Sequence, residues 1–332
     1  LYSVPILILT LADAVAALIG IYYGHVQFKT LEGSKSIEGS LAFFIVAFLC
    51  VHIAVLLFTE TGRAESLLIG LLMGVVVMMF EAVAWRGLDN LFIPLASFAL
   101  MKTYLDLDAA GLGLRLIIIL LLGLFLLFWR RRSTLDDSAL IGAGLIAYGA
   151  WAVGDLYWLL VPVSVFVLVT MLVPRKHPDG RSRIHNVYAL LGIAGPGFAW
   201  LILNNSVDSA GLFFAYATAF AAHTTMLGVS HAHFGQAHLP LLRTAPAVLQ
   251  GLAVLVLPFM LMWGLDPRLL AIVLIGAVAL SAAGFTFLRL QPSLDDCPVS
   301  PARWRRQALI AGGVSVLAWM SIAVNNLWDL QI

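Results

Sequence analysis

Residues Asp13 to Ser40 read DAVAALIGIYYGHVQFKTLEGSKSIEGS. An acid, Asp13, stands inside an apolar run and is followed by Ala16, Ala17, Gly20 and Gly24. These positions recur at helical spacing, so acid and small residues share one face. Beyond Gly24 the chain turns polar as far as Ser40, where the next apolar run begins. A helix that is apolar nearly all round but carries one acid reads as a membrane span, because an amphipathic soluble helix would need a full polar face.

Composition extends that reading to the whole chain. Its 332 residues are 61% hydrophobic and 11% charged, with a mean hydropathy of +0.98; soluble domains carry about 25% charged residues. Apolar runs of about 18 residues, each long enough to cross a bilayer as a helix, recur throughout. Spans are expected near 2–24, 41–58, 67–84, 91–106, 112–129, 139–153, 156–173, 187–204, 210–228, 246–264, 269–288 and 308–327. The fold class is an all-α polytopic transmembrane bundle of about twelve spans.

Of the 19 Lys and Arg, fifteen fall on the side of the loop between the first two spans and four on the other. The positive-inside rule puts that loop in the cytoplasm, and the expected location is a bacterial inner membrane. A net charge of +1 gives no basis for a nucleic-acid partner. Two cysteines, Cys50 and Cys297, make no disulfide framework. The chain opens at Leu1 already inside an apolar run, so further spans are expected upstream. The motifs cluster in residues 1–106, while 107–332 are apolar spans joined by basic loops, which divides the chain into two parts.

Three constellations carry chemistry. The first is the Asp13 face: its small residues admit a close helix or ligand, and an acid within a span is rare and usually functional. The second is Gly33-Ser34-Lys35-Ser36-Ile37-Glu38-Gly39-Ser40. It runs into a helix start, where backbone N–H groups and the Lys35 charge favour a phosphate. Gly33 and Gly39 let the backbone close in, and Glu38 could hold a metal or a ribose hydroxyl; the plainer reading makes Ser36 a helix cap. The third is EAVAWRGLDNLFIPL, residues 81–95, with Glu81 at a helix end and Arg86, Asp89 and Asn90 in the loop beyond. By the span count this loop lies on the same side of the membrane as Lys35. Asp89 or Asn90 could equally cap the next helix, with Pro94 in its first turns.

D-A-V-A-x-x-x-G-x-x-x-G, then K-S-I-E-G-S, then E-x-x-x-x-x-G-L-D-N-L-x-x-P-L, in that order over residues 5–105, resembles the CTP-dependent isoprenoid alcohol kinases, phytol kinase and dolichol kinase, of the membrane cytidylyltransferase superfamily. GLDNL with the downstream PL is most similar to bacterial phytol kinase-like members. The resemblance implies that Gly20, Gly24, Lys35, Ser36, Glu38, Gly39 and Asn90 belong to the CTP site. It implies that Asp13 and Asp89 are the catalytic acids, and that Asp13, Glu81 and Asp89 hold Mg²⁺. The acceptor would be phytol, dolichol or a polyprenol. Two other readings stay open: a cytidylyltransferase that makes a CDP-lipid, and a transporter or scaffold that kept the fold without the chemistry.

The second part is less informative. STLDDSALIGAGLIAYGAWAVGDLYWLLVPVSVFVLV, within residues 130–250, is weakly similar to the membrane family that phosphorylates phytyl phosphate. That family continues into an Asp-Thr pair, where this chain has His223-Thr224, a departure that argues against a second kinase site. His223, His231, His233 and His238 have spacings a metal such as Zn²⁺ accepts, but no Cys or carboxylate accompanies them, and interfacial histidines without metal are the expectation. Asp295 and Asp296 read as a solvated loop.

Overall fold

The computed structural model describes residues 3–30, 33–83, 89–172, 185–204, 206–207, 211–233, 244–290 and 301–324. The chain is a helical membrane protein. Among the described residues nine helices are long and apolar enough to cross a bilayer. Such runs satisfy every backbone N–H and C=O within the helix, which lipid demands. Helices stand at each of the expected span positions. Those at Asp89–Leu105, Asp137–Val153 and Leu156–Leu172 have 17 residues each, at the short end for a crossing.

The chain forms two compact units. They divide inside the helix Asp137–Val153, with Arg132–Thr134 belonging to the second. The packing boundary therefore differs from the division at residue 106 drawn from the motifs. Apolar packing ignores where charged motifs stop, and the span at Ala109–Trp129 packs with the motif-bearing helices.

Unit 1 opens with α1, Ser3–Tyr23. A π-helical turn, Ile8–Ala12, sits immediately before Asp13; such bulges re-aim the residues that follow and recur at functional sites. A hairpin of β1, Gln27–Thr30, and β2, Gly33–Ser36, leads into α2, Ile37–Phe58. This is the main departure from the expected polar loop. Four paired residues on each side, from Gln27↔Ser36 to Thr30↔Gly33, and Gly33 at φ +140° close a tight antiparallel ribbon. Then come α3, Arg63–Val83, α4, Asp89–Leu105, α5, Ala109–Trp129, and α6, Asp137–Val153.

The central helix of this unit is α3. On α2, only Gly39, Phe43, Ala47, Val51 and Val55 are buried, one residue per turn, while Ile45, Leu49 and Ile53 face outward, as bilayer-facing positions should. Phe44, Phe48 and His52 of α2 stack in sequence, with ring centroids 6.4 and 5.5 Å apart, and lie over Gly70 and Gly74 of α3. A Cβ on either glycine would meet those rings at 3.0 Å, so the glycines set how closely α2 and α3 approach. Ser66 bonds the His52 Nδ1 at 3.0 Å and fixes the far end of the same pair.

Unit 2 holds α7, Leu156–Leu172, α8, Val187–Asn204, α9, Gly211–His233, α10, Ala245–Trp263, α11, Arg268–Leu290, and α12, Pro301–Val324. Its core is built around α9, 89% of whose span is buried. Phe213, Phe214, Tyr216, Phe220 and Phe259 interlock there. Two buried polar side chains find partners across helices: Tyr216 donates to the Trp158 carbonyl at 2.9 Å and Trp200 to Ser315 at 2.9 Å.

Candidate functional site

The end of α1, the hairpin, the first turn of α2 and the last turn of α3 enclose a pocket of about 540 Å³. Its lining includes Asp13, Gly20, Gly24, Lys35, Ser36, Gly39 and Glu81, which belong to three separate sequence motifs.

The pocket floor is a helix crossing. A Cβ at Gly39 would meet the Ala16 carbonyl oxygen at 3.0 Å and the Gly20 Cα at 3.2 Å, both backbone atoms of α1. At Gly24 a Cβ would lie 2.7 Å from the Ser36 Cβ. The small face of α1 packs onto α2, and Ala16, Ala17, Gly20 and Gly24 also line the pocket.

Ser36 caps α2, its hydroxyl accepting the Gly39 N–H at 3.1 Å. The Ile37 N–H goes to the Val26 carbonyl at 2.9 Å. Two backbone donors that the helix start was expected to offer an anion are therefore engaged within the protein. The side chains lining the pocket that could serve an anion are Lys35 and the hydroxyls of Thr30, Ser36 and Ser40. Ser36 retains an O–H to donate while it accepts from Gly39. Ser40 has a buried hydroxyl with no partner among the described residues.

Lys35 is the only cationic side chain among the residues that line the pocket. Its ammonium donates to Glu81 Oε1 at 2.5 Å and to the Glu81 main-chain carbonyl, joining the hairpin to the end of α3. Glu81 is 8% exposed, and 28% of the Lys35 side chain is exposed. Asp13 is exposed, lines the pocket and has no hydrogen bond or ion pair among the described residues.

Glu38 stands apart from the lining. Its carboxylate accepts the Val26 N–H at 3.2 and 3.4 Å and clamps the hairpin base instead of facing the ligand space. Asp89 and Asn90 begin α4, but their side chains, like Arg86, lie outside the described residues.

Sequence reasoning missed Gln27 and Thr30 as pocket residues, and it named Ser34 and Ser40 only as members of the Gly33–Ser40 stretch. Ser34 donates to Gln27 Oε1 at 3.0 Å across the hairpin. The available signal was Gly33, a hairpin glycine within a polar run.

Among the histidines, His223 is fully buried in α9, His231 is exposed, the His233 side chain and His238 lie outside the described residues, and no cluster of three or more metal-ligating residues forms among those described. Asp295, Asp296 and Cys297 also lie outside them. No family model, curated protein or solved structure matches the chain.

Proposed function

We propose that this chain is a CTP-dependent isoprenoid alcohol kinase, a protein of about twelve spans in a bacterial inner membrane with its nucleotide pocket on the cytoplasmic side. The observation that carries the reading is the convergence of Asp13, Lys35 and Glu81, from three motifs, on one pocket. A transporter or scaffold has no need of that convergence.

The carboxylates of Asp13 and Glu81 are hard oxygen donors in the same pocket and fit Mg²⁺, which takes one or two protein carboxylates and completes its shell with waters and phosphate oxygens. When bound, it would neutralise charge on the β- and γ-phosphates. Lys35 meets the phosphates as a point charge, and the Ser36 and Ser40 hydroxyls donate to their oxygens. The close crossing at Gly20 and Gly39 brings the start of α2, with Ser36 and Ser40, beside the Asp13-bearing helix.

Asp13 orients the lipid hydroxyl and accepts its proton as that oxygen attacks the γ-phosphorus. The bond from the γ-phosphorus to the bridging oxygen breaks, and CDP leaves. Asp13 suits this role because it lines the pocket on a helix whose other positions, Leu18 and Ile21 among them, are exposed apolar residues. A lipid alcohol presents its hydroxyl at such a border.

The test is CTP labelled at the α- or γ-phosphate, supplied with Mg²⁺ and either phytol or a short polyprenol to the purified protein. Label from the γ-position on the lipid supports the kinase. Label from the α-position means a cytidylyltransferase, and no labelled lipid from either means a protein without this chemistry.

A further inference from the structure

Buried polar side chains gather in unit 2 where α9 packs on α12. His223 and Gln307 are fully enclosed, and Ser230 and Arg303 are nearly so. His223 and Ser230 lie two turns apart on α9, and Arg303 and Gln307 one turn apart on α12, so each helix carries its pair on one face. The Arg303 end of this seam is closed. Its guanidinium donates to the Ser230 hydroxyl at 2.5 Å and stands 5.7 Å from the centre of the Phe287 ring of α11.

The inner end differs. His223 sits midway along α9, and the Gln307 side chain is turned toward its ring. Neither ring nitrogen of His223, and neither amide atom of Gln307, makes a well-formed hydrogen bond with a described residue. Their neighbours a turn away, Phe220 and Met226 on α9 and Ala311 on α12, are buried and apolar and offer no side-chain partner. A buried donor or acceptor left unmet costs about 1–3 kcal/mol, and four such atoms would offset much of a domain's stability.

What meets them is set by what they present. The uncharged imidazole has one donor and one acceptor, and the amide has donors and an acceptor oxygen. A cation would satisfy only the acceptors and would lie in the field of the Arg303 charge. An anion would satisfy only the donors. Water does both, is small enough for an enclosed seam, and takes about three hydrogen bonds when buried.

We propose that His223 and Gln307 form an internal water-binding site between α9 and α12. The site stands independently of the nucleotide reading of the pocket in unit 1. With the Arg303–Ser230 contact, the bound water ties the two helices at two depths. Apolar packing tolerates a slide of one helix along the other, whereas donors and acceptors that must meet do not. The site thereby sets the register of α9 against α12.

The experiment is proton-detected solid-state NMR on the whole chain in lipid bilayers, isotopically labelled, with the His223 ring assigned through Ala222 and Thr224. At mixing times too short for relay through the protein, magnetisation should pass from water to the His223 ring N–H. Gln307→Leu makes one wall of the site apolar and should abolish that transfer while the ring signal remains. A ring that receives magnetisation from the Gln307 amide but none from water overturns the proposal, as does transfer undiminished by Gln307→Leu. Should that variant fail to fold, the wild-type transfer decides. Thermal midpoints give a second arm. His223→Leu and Gln307→Leu should each lower the midpoint, and the double variant by less than their sum, because removing both groups leaves no unmet atom. Additive losses would count against a shared site.

Discussion

Gly39→Ala tests whether the helix crossing beneath the pocket sets the chemistry. The added methyl would lie 3.0 Å from the Ala16 carbonyl oxygen, 3.0 Å from the Ser36 hydroxyl and 3.2 Å from the Gly20 Cα. Relaxed contacts of these kinds are about 3.5–4.0 Å, so α1 and α2 must part by roughly half an ångström. Two of the three neighbours are backbone atoms, and no rotamer change can absorb the shift. Forced overpacking of this kind destabilises by about 1–3 kcal/mol. The separation also carries Asp13, on α1, away from Lys35 and Ser36, which are anchored to α2 through the hairpin and cap. Displacements of this order are expected to lower turnover by about ten- to a hundredfold, given that a full ångström of misplacement can cost about a hundredfold. The assay is γ-labelled CTP transfer to phytol beside a thermal unfolding midpoint in detergent. Gly123→Ala on α5, whose new methyl meets nothing within 4 Å, is the control and should be neutral or slightly stabilising. Wild-type turnover and midpoint for Gly39→Ala would refute the view that close approach at this crossing organises the pocket.

Asp13→Asn should lower turnover by at least about a hundredfold, whereas Lys35→Ala should chiefly raise the KM for CTP because its charge meets phosphate before and during the reaction; wild-type rates from Asp13→Asn would reduce the acid to a packing residue. His223→Ala should leave lipid phosphorylation within about twofold while lowering the thermal midpoint, because it empties a fully buried site in α9; a loss like that of Asp13→Asn would give unit 2 a catalytic role. Asp136, in the loop before α6, is partly buried, and burial, with Asp137 beside it, pushes its carboxyl above the ordinary 3.8 although the Ala139 N–H opposes the shift. The folded state then holds this proton more tightly than the unfolded one. Its stability term is fully present below pH 3.8 and is lost as pH rises through the elevated folded value. Asp136→Asn should flatten that stretch of a midpoint-against-pH curve and keep the cap on α6; an unchanged curve would count against the raised value.

The helices and the membrane class were legible because lipid imposes one rule on every span: about eighteen apolar residues and internally satisfied backbone. The Ser36 cap was legible too, since a serine before an apolar run has one favourable local use. The hairpin was not, because strands of four residues between helices leave almost no periodic signal. Glu38 illustrates a second limit: its spacing from Lys35 suited a ligand, but the Val26 N–H, twelve residues back, claims it. The Lys35–Glu81 contact spans 46 positions and follows from the way α3 packs on α2, which no local pattern encodes. Asp13, by contrast, was found by a rule of cost alone: an acid in a span needs a reason.

The burial of α9 bears on how the protein is made. Of the nine helices among the described residues able to cross, α9 and α12 are the least hydropathic, yet α9 is the most enclosed. It carries Thr218, His223, Thr224, Thr225 and Ser230 into the interior, and Thr224 and Thr225 turn their hydroxyls back on their own helix. Such a segment gains little from lipid and much from protein neighbours, so its residence in the bilayer is a product of assembly. Stable insertion of α9 is therefore expected to depend on the helices packed around it, α8, α10, α11 and α12. A glycosylation or cysteine-accessibility reporter on nascent chains ending near residue 243 should find α9 only partly inserted, and fully inserted once α12 has emerged.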